Sequence, residues 1–148
     1  MTIGSETPPP PLARLLGLAL DKMSRELQER IKAAGFTDQR MAHNAVFAHI
    51  PPGGITLAEL ARRAGITKQA MSELVVDLEE KGYLIRRPGA HDRRTKVIEL
   101  SGRGWAAMGA ALAAFEEMER ELEGRLGGPR LQSLRRTLEI LAEDAASS

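Results

Sequence analysis

The chain has 148 residues, a net charge of +1 and no cysteine. That length suits one domain, or one domain with dimerisation arms; the missing cysteines exclude disulfides and thiol redox chemistry and fit a cytoplasmic setting. Aromatic residues are 3% of the chain, so the core must be built from Leu, Ala, Val, Ile and Met. The N-terminus has no basic region leading into an apolar run, which argues against a signal peptide, and LARLLGLAL is too short to span a bilayer. No membrane partner is expected.

Residues 1–11 read as a disordered or extended proline-rich arm, because proline fixes φ and lacks the amide donor. Leu12, Leu15, Leu16, Ala19, Leu20, Met23, Leu27 and Ile31 then recur at helical spacing, and Gly35 ends this long helix. Thr37 is the expected cap of a second helix that buries Met41, Ala45, Val46 and Phe47 and stops at PPGG. Thr56 to Glu59 matches a reciprocal capping box for a third helix, with Leu57, Leu60 and Ala61 inward and Gly65 at its end.

Thr67 is the expected cap of a fourth helix running to about Lys81. Met71, Leu74, Val75 and Leu78 form its core stripe; Gln69, Ser72, Glu73, Val76 and Glu80 lie opposite. Leu84 to Arg87 and Lys96 to Leu100 read as short strands joined by PGAHDRRT. Ser101 caps a fifth helix whose stripe is Trp105, Met108, Leu112, Phe115, Met118 or Glu119, Leu122 and Leu126. After GGP, with Pro129 at the first helical position, Leu131, Leu134, Leu138 and Leu141 form a sixth. The fold class is mainly α with a small β-hairpin wing, a winged helix-turn-helix. Residues 37–100 are expected to form its winged helix-turn-helix lobe; 12–36 and 101–145 are expected to be dimerisation helices, long enough to bundle between two chains.

The charge is segregated. From Gly82 to Ile98 stand Arg86, Arg87, Arg93, Arg94 and Lys96 against Asp92 alone, whereas residues 116–123 are acidic. A helix fits the major groove of duplex DNA, and it reads bases mostly from its N-terminal turns. Those turns offer Thr67, Lys68, Gln69 and Ser72; Val76, outward on a polar face, suits a thymine methyl. In the wing, arginine gains from the negative potential of a narrow minor groove. Asp92 can hold the Arg94 guanidinium by a bidentate pair, making one preset arginine finger. The candidate DNA-binding residues are therefore Thr67, Lys68, Gln69, Ser72, Val76, Arg87, Asp92, Arg93, Arg94 and Lys96.

Residues 56–101 resemble the MarR family of dimeric winged-helix transcription regulators. LAELARRAGITKQAMSELVVDLEEKGYLIRR matches its helix-turn-helix and first wing strand. DRRTKVIELSGRG at 92–104 matches its wing signature, an Asp-x-Arg followed by a strand and Leu-Thr/Ser-x-x-Gly. The resemblance implies a homodimer built from the terminal helices, with two recognition helices in successive major grooves of a pseudo-palindromic operator, about 34 Å apart. It implies that Arg94 is the minor-groove arginine and Asp92 its orienting partner. It also implies a cleft for a small aromatic or amphipathic effector, and Met23, His43, Phe47 and Trp105 are candidates to border it.

One feature departs from the family. Glu73, Asp77, Glu79 and Glu80 make the fourth helix net acidic, and acid facing phosphate opposes binding. Two readings follow: a sequence-specific DNA-binding regulator, more readily a repressor released by an effector, or a winged-helix module that binds protein and has weak or no DNA affinity. His43, His49 and His91 lack metal-ligand spacing, and no nucleophile motif or glycine-rich phosphate loop occurs. Neither enzyme activity nor a cofactor is expected.

Overall fold

The computed structural model describes residues 7–146, with side chains through residue 143. The first six residues of the expected arm lie outside the described residues; residues 7–11 have no regular structure. The chain divides into two compact units, one through residue 110 and one from 111.

In the first unit, helix α1 (Leu12–Ala33) buries Leu27, Gln28 and Ile31. Its end is closed by the Phe36 amide donating to the Ile31 carbonyl at 3.2 Å. Thr37 does not cap the next helix. That helix starts later, as a 3-10 turn (Met41–His43) running into α2 (Asn44–Phe47), with Arg40 extended at the cap position. The delay has a physical cause. The buried Gln28 amide donates to the Gln39 carbonyl at 2.6 Å, and Asp38 accepts from the Tyr83 hydroxyl and from Arg103. These bonds hold residues 38–40 out of a helix. Val46 is fully buried, Ala45 and Phe47 are half-buried, and Met41, expected inside, is exposed.

Helices α3 (Leu57–Ala64) and α4 (Lys68–Glu80) form the helix-turn-helix. The Thr56 hydroxyl accepts from the Glu59 amide at 3.3 Å. The return half of the capping box is replaced: the Glu59 carboxylate takes Arg62 and Arg63, and these guanidiniums hold it down to about pKa 2. Gly65 closes α3, and the Thr67 hydroxyl caps α4 through the Ala70 amide at 3.1 Å. Met71, Val75 and Leu78 are fully buried, joining Leu60, Val46 and Tyr83 in one core.

Strands β1 (Leu84–Pro88) and β2 (Lys96–Leu100) pair antiparallel, Leu84 opposite Leu100 and Arg86 opposite Ile98. Residues facing each other across a ladder share a side of it; Leu84, Ile98 and Leu100 line the buried side. Ile55 adds a bridge to Ile98, with N–H···O bonds of 3.0 and 2.8 Å. The hairpin is thereby tied to the segment that leads into α3.

Helix α5 (Gly102–Leu126) starts in the first unit and continues into the second. The Ser101 hydroxyl accepts the Gly104 amide at 3.0 Å, the cap expected from sequence. A Cβ on Gly104 would collide with the Tyr83 carbonyl and press on Leu100. The Ser-x-x-Gly step thus combines a cap with a close backbone approach.

The face of α5 matches the expected stripe only in part: Met118 is buried and Met108 packs against the core, but three of its large members are not inside. Gly104, Ala107, Ala114 and Met118 are the buried positions, whereas Trp105, Leu112 and Phe115 are exposed. Gly104 is the position where the helix backbone passes closest to the Tyr83 carbonyl, and a side chain there would not fit. In the second unit, α6 (Gly128–Ala146) follows Gly127. Pro129 is its second residue, one place later than predicted, and Leu134, Leu138, Ile140 and Leu141 are exposed. Among the described residues no helix is long and apolar enough to cross a membrane.

Candidate nucleic-acid interface

The interface candidates on α4 and on the hairpin lie in the first unit. At the start of α4, Thr67, Lys68 and Gln69 are exposed and Ser72 is half-buried. Thr67 uses one acceptor site of its hydroxyl for the cap, leaving its proton to donate outward. Val76 is 44% exposed on the same helix. The inward stripe of Met71, Val75 and Leu78 fixes which face of α4 points out.

Farther along α4 the acids have neighbours. One oxygen of Asp77, Oδ2, accepts from Arg40 Nη2 at 2.9 Å, Lys81 Nζ at 2.7 Å and His43 Nε2 at 2.7 Å. Lys81 and then Arg40 hold the Asp77 carboxyl well below the usual carboxylate range. Glu79 pairs with Arg86, which leaves the buried side of the hairpin at its outer end. Glu73 and Glu80 remain exposed. The helix is net acidic, as its sequence says, but two of its four carboxylates are paired with adjacent cations. Sequence spacing carried a sign only of the Asp77–Lys81 pair, four residues apart; His43 and Arg40 are 34 and 37 residues from Asp77.

His43 is fully buried. Its Nδ1 accepts the Arg40 amide at 3.0 Å. The ring proton is then on Nε2, and it donates to Asp77. Burial of the ring pushes its pKa below 6.5, outweighing the upward pull of the Asp77 carboxylate.

At the hairpin tip, the Gly89 amide donates to the Thr95 carbonyl at 2.7 Å and the Thr95 amide to the Asp92 carbonyl at 3.1 Å. A Cβ on Gly89 would lie 2.7 Å from the Asp92 carbonyl oxygen, so this tight loop needs glycine there. Asp92 does not grip the Arg94 guanidinium as expected. Its Oδ1 accepts the Arg94 backbone amide at 2.9 Å, the local turn that aspartate favours. Asp92 therefore shapes the loop and leaves the guanidinium free. Arg93, Arg94 and Lys96 are exposed, with no anionic partner among the described residues. Arg87 is different: its Nε sits 3.1 Å from Glu99 Oε2 on the neighbouring strand.

Behind the hairpin, sequence reasoning missed a second cluster. Arg103 stacks 4.3 Å from the Tyr83 ring centre and bonds both Asp38 oxygens, at 3.1 and 3.2 Å. The Tyr83 hydroxyl also donates to Asp38. Burial, reinforced by that bond, pushes the Tyr83 pKa up to about 12. The bond in turn, with Arg103, holds Asp38 below its ordinary value. This cluster ties the first turn of α5 to the segment before α2.

The residues suggested for an effector cleft are differently placed. Both His43 ring nitrogens are occupied, Phe47 packs edge-on against Tyr83 with ring centres 6.0 Å apart, Met23 is half-buried and Trp105 is 47% exposed.

Comparison with known proteins agrees with this architecture. The sequence model of the MarR family matches residues 45–95. An HTH-type transcriptional repressor of Mycobacterium tuberculosis is 29% identical over 133 residues, covering 87% of this chain and 94% of that protein. The homoprotocatechuate degradative operon repressor of Escherichia coli is 26% identical over 109 residues, covering 74% of this chain and 72% of that protein. Among solved structures, a mutant MarR from E. coli complexed with operator DNA superposes with TM-score 0.71 at 24% identity, covering 88% of this chain and 93% of that one. The MepR–DNA complex of S. aureus superposes with TM-score 0.72 at 22% identity, covering 92% and 99%. The chain is thus similar to the MarR family over its helix-turn-helix and first wing strand, and it shares the fold of these solved structures.

Proposed function

We propose that this protein is a sequence-specific DNA-binding transcriptional regulator that acts as a repressor. The observation that carries the reading is the pairing, in one unit, of a helix exposing Lys68 and Gln69 with a wing whose Arg93, Arg94 and Lys96 have no anionic partner among the described residues. Cations left unpaired on a projecting loop suit phosphate and the minor groove. Gln69, Ser72 and Val76 are the base-reading candidates; Thr67 and Lys68 suit base or phosphate. Neutralisation of Asp77 and Glu79 within the fold weighs against the protein-binding alternative, which rested on an acidic helix.

A homodimer is part of this reading. Leu12, Leu15, Leu16, Leu18 and Leu20 of α1 are exposed, and the second unit exposes Leu112, Phe115, Leu134, Leu138, Ile140 and Leu141. Apolar surface on this scale marks an interaction site in a protein with this much charge. The helices at 12–36 and 101–145 are the proposed dimerisation elements, and sedimentation of the purified protein tests them; a monomer at micromolar concentration would sink the assignment. A small aromatic or amphipathic effector is proposed as the releasing signal, and quenching or enhancement of Trp105 fluorescence on titration with aromatic acids tests it.

The deciding experiment is selection of bound duplexes from a random pool. The expected outcome is a two-fold symmetric motif, bound with a steep salt dependence. Recovery of no motif at low salt would remove the DNA reading.

A further inference from the structure

Asp77 has an unusual set of partners for a residue on a recognition helix. One carboxylate oxygen gathers Arg40, His43 and Lys81. Lys81 belongs to the same helical turn, but Arg40 and His43 come from the segment before α2. The His43 ring cannot turn away: it is fully buried, and its other nitrogen accepts the Arg40 amide. The bond therefore has a fixed polarity, imidazole N–H to carboxylate, along a fixed direction. A helix is rigid over two turns, so an anchor at Asp77 sets the rotation of Gln69, Ser72 and Val76 about the helix axis.

From this arrangement we infer that Asp77 is a positioning residue: through His43 and Arg40 it sets the angle at which α4 presents Gln69 and Ser72, and so sets discrimination among DNA sequences. The inference rests on the DNA-binding reading above. It reverses the expectation from charge alone, in which an acid on the recognition helix only opposes phosphate. Protonation of His43 would place a second donor, Nδ1–H, against the Arg40 amide and break that bond, so the ring that holds Asp77 loses its own fixed seat. The charged groups facing the ring are Asp77, Lys81 and Arg40.

The test uses the full chain, a duplex selected from the random pool and a scrambled duplex of equal length, read by fluorescence anisotropy across a salt series. Asp77→Asn weakens binding to the selected duplex by about tenfold and changes scrambled binding by less than about threefold. Glu73→Gln, an exposed acid one turn earlier, tightens both duplexes alike. Acidification lowers the specificity ratio of the wild type and leaves that of Asp77→Asn flat, a response that plain loss of stability would not give. Should Asp77→Asn fail to fold, Arg40→Met decides: that side chain is 62% exposed, and its loss lowers the ratio at constant salt slope. Asp77→Asn tightening both duplexes as Glu73→Gln does, or Arg40→Met leaving the ratio intact, overturns the inference. A wild type that selects no duplex defeats the DNA reading itself and the inference with it.

Discussion

The second half of α4 and the hairpin tip are both densely charged, yet they use charge in opposite ways. Asp77 and Glu79 are held by Arg40, His43, Lys81 and Arg86, so their charge serves the fold. Arg93, Arg94 and Lys96 at the tip have no such partners among the described residues, and Asp92, the nearest acid, is occupied with the Arg94 backbone. Counting charges along an element therefore misjudges what it offers a polyanion. The relevant quantity is the charge left after internal pairs have formed.

The largest expected effect follows from the unpaired end of this contrast. Arg94→Ala should weaken binding to any duplex by about 10- to 100-fold, the scale of 1–3 kcal/mol, and flatten the salt dependence. Normal retardation of this variant in a gel-shift assay would show that the tip does not touch DNA. Next in size is Gln69→Ala, which should relax preference at one base pair by about 1 kcal/mol with little change in salt slope. A binding-site selection repeated with the variant measures it directly. Unchanged preference would move base reading away from the first turn of α4.

Much of this was legible in the sequence, and the failures have physical reasons. Thr56, Thr67 and Ser101 were found as caps because the signal is local: a hydroxyl residue three positions before a free amide. The hairpin and its Gly89 turn are local in the same sense. Thr37 failed because Gln28, Tyr83 and Arg103, all distant in sequence, take hold of residues 38 and 39 first. The α5 stripe held at Met108 and Met118 but failed at Trp105, Leu112 and Phe115, because a helix with two apolar faces gives one periodicity. Which face meets its own core depends on Gly104 passing the Tyr83 carbonyl, and nothing in the spacing reveals that. The His43–Asp77 bond joins residues without any motif, so the partner of each was invisible until the fold brought them together.

That bond gives the contrast a pH dependence. His43 has its pKa lowered from 6.5 by burial, so the unfolded chain binds the proton more tightly than the folded one. The stabilisation from a neutral, buried ring is complete above about 6.5 and is lost as pH falls below that value. Asp77, lowered in turn, adds its own loss only at much more acid pH, beneath the ordinary carboxylate range. Thermal melts should therefore step down below neutrality in the wild type, and the step should be absent in His43→Gln, which keeps an amide donor but cannot titrate. A step that persists in the variant would show that His43 is not its source.

The smallest effect separates two arginines within the wing. Arg87 stands on the same hairpin as Arg94, but Glu99 lies 3.1 Å from its guanidinium. If availability decides, Arg87→Met should cost DNA binding no more than about 0–1 kcal/mol, the scale of an exposed ion pair, because the charge it removes is already countered. Glu99→Gln should do the reverse: it releases Arg87 and tightens binding to selected and scrambled duplexes alike, with a slightly steeper salt slope. The two variants together form the informative measurement. Equal losses from Arg87→Met and Arg94→Ala would mean that DNA displaces Glu99 and recruits every cation of the hairpin. Unequal losses, with a gain from Glu99→Gln, would mean that the cross-strand pair persists on the DNA and that Glu99 limits how many wing cations bind.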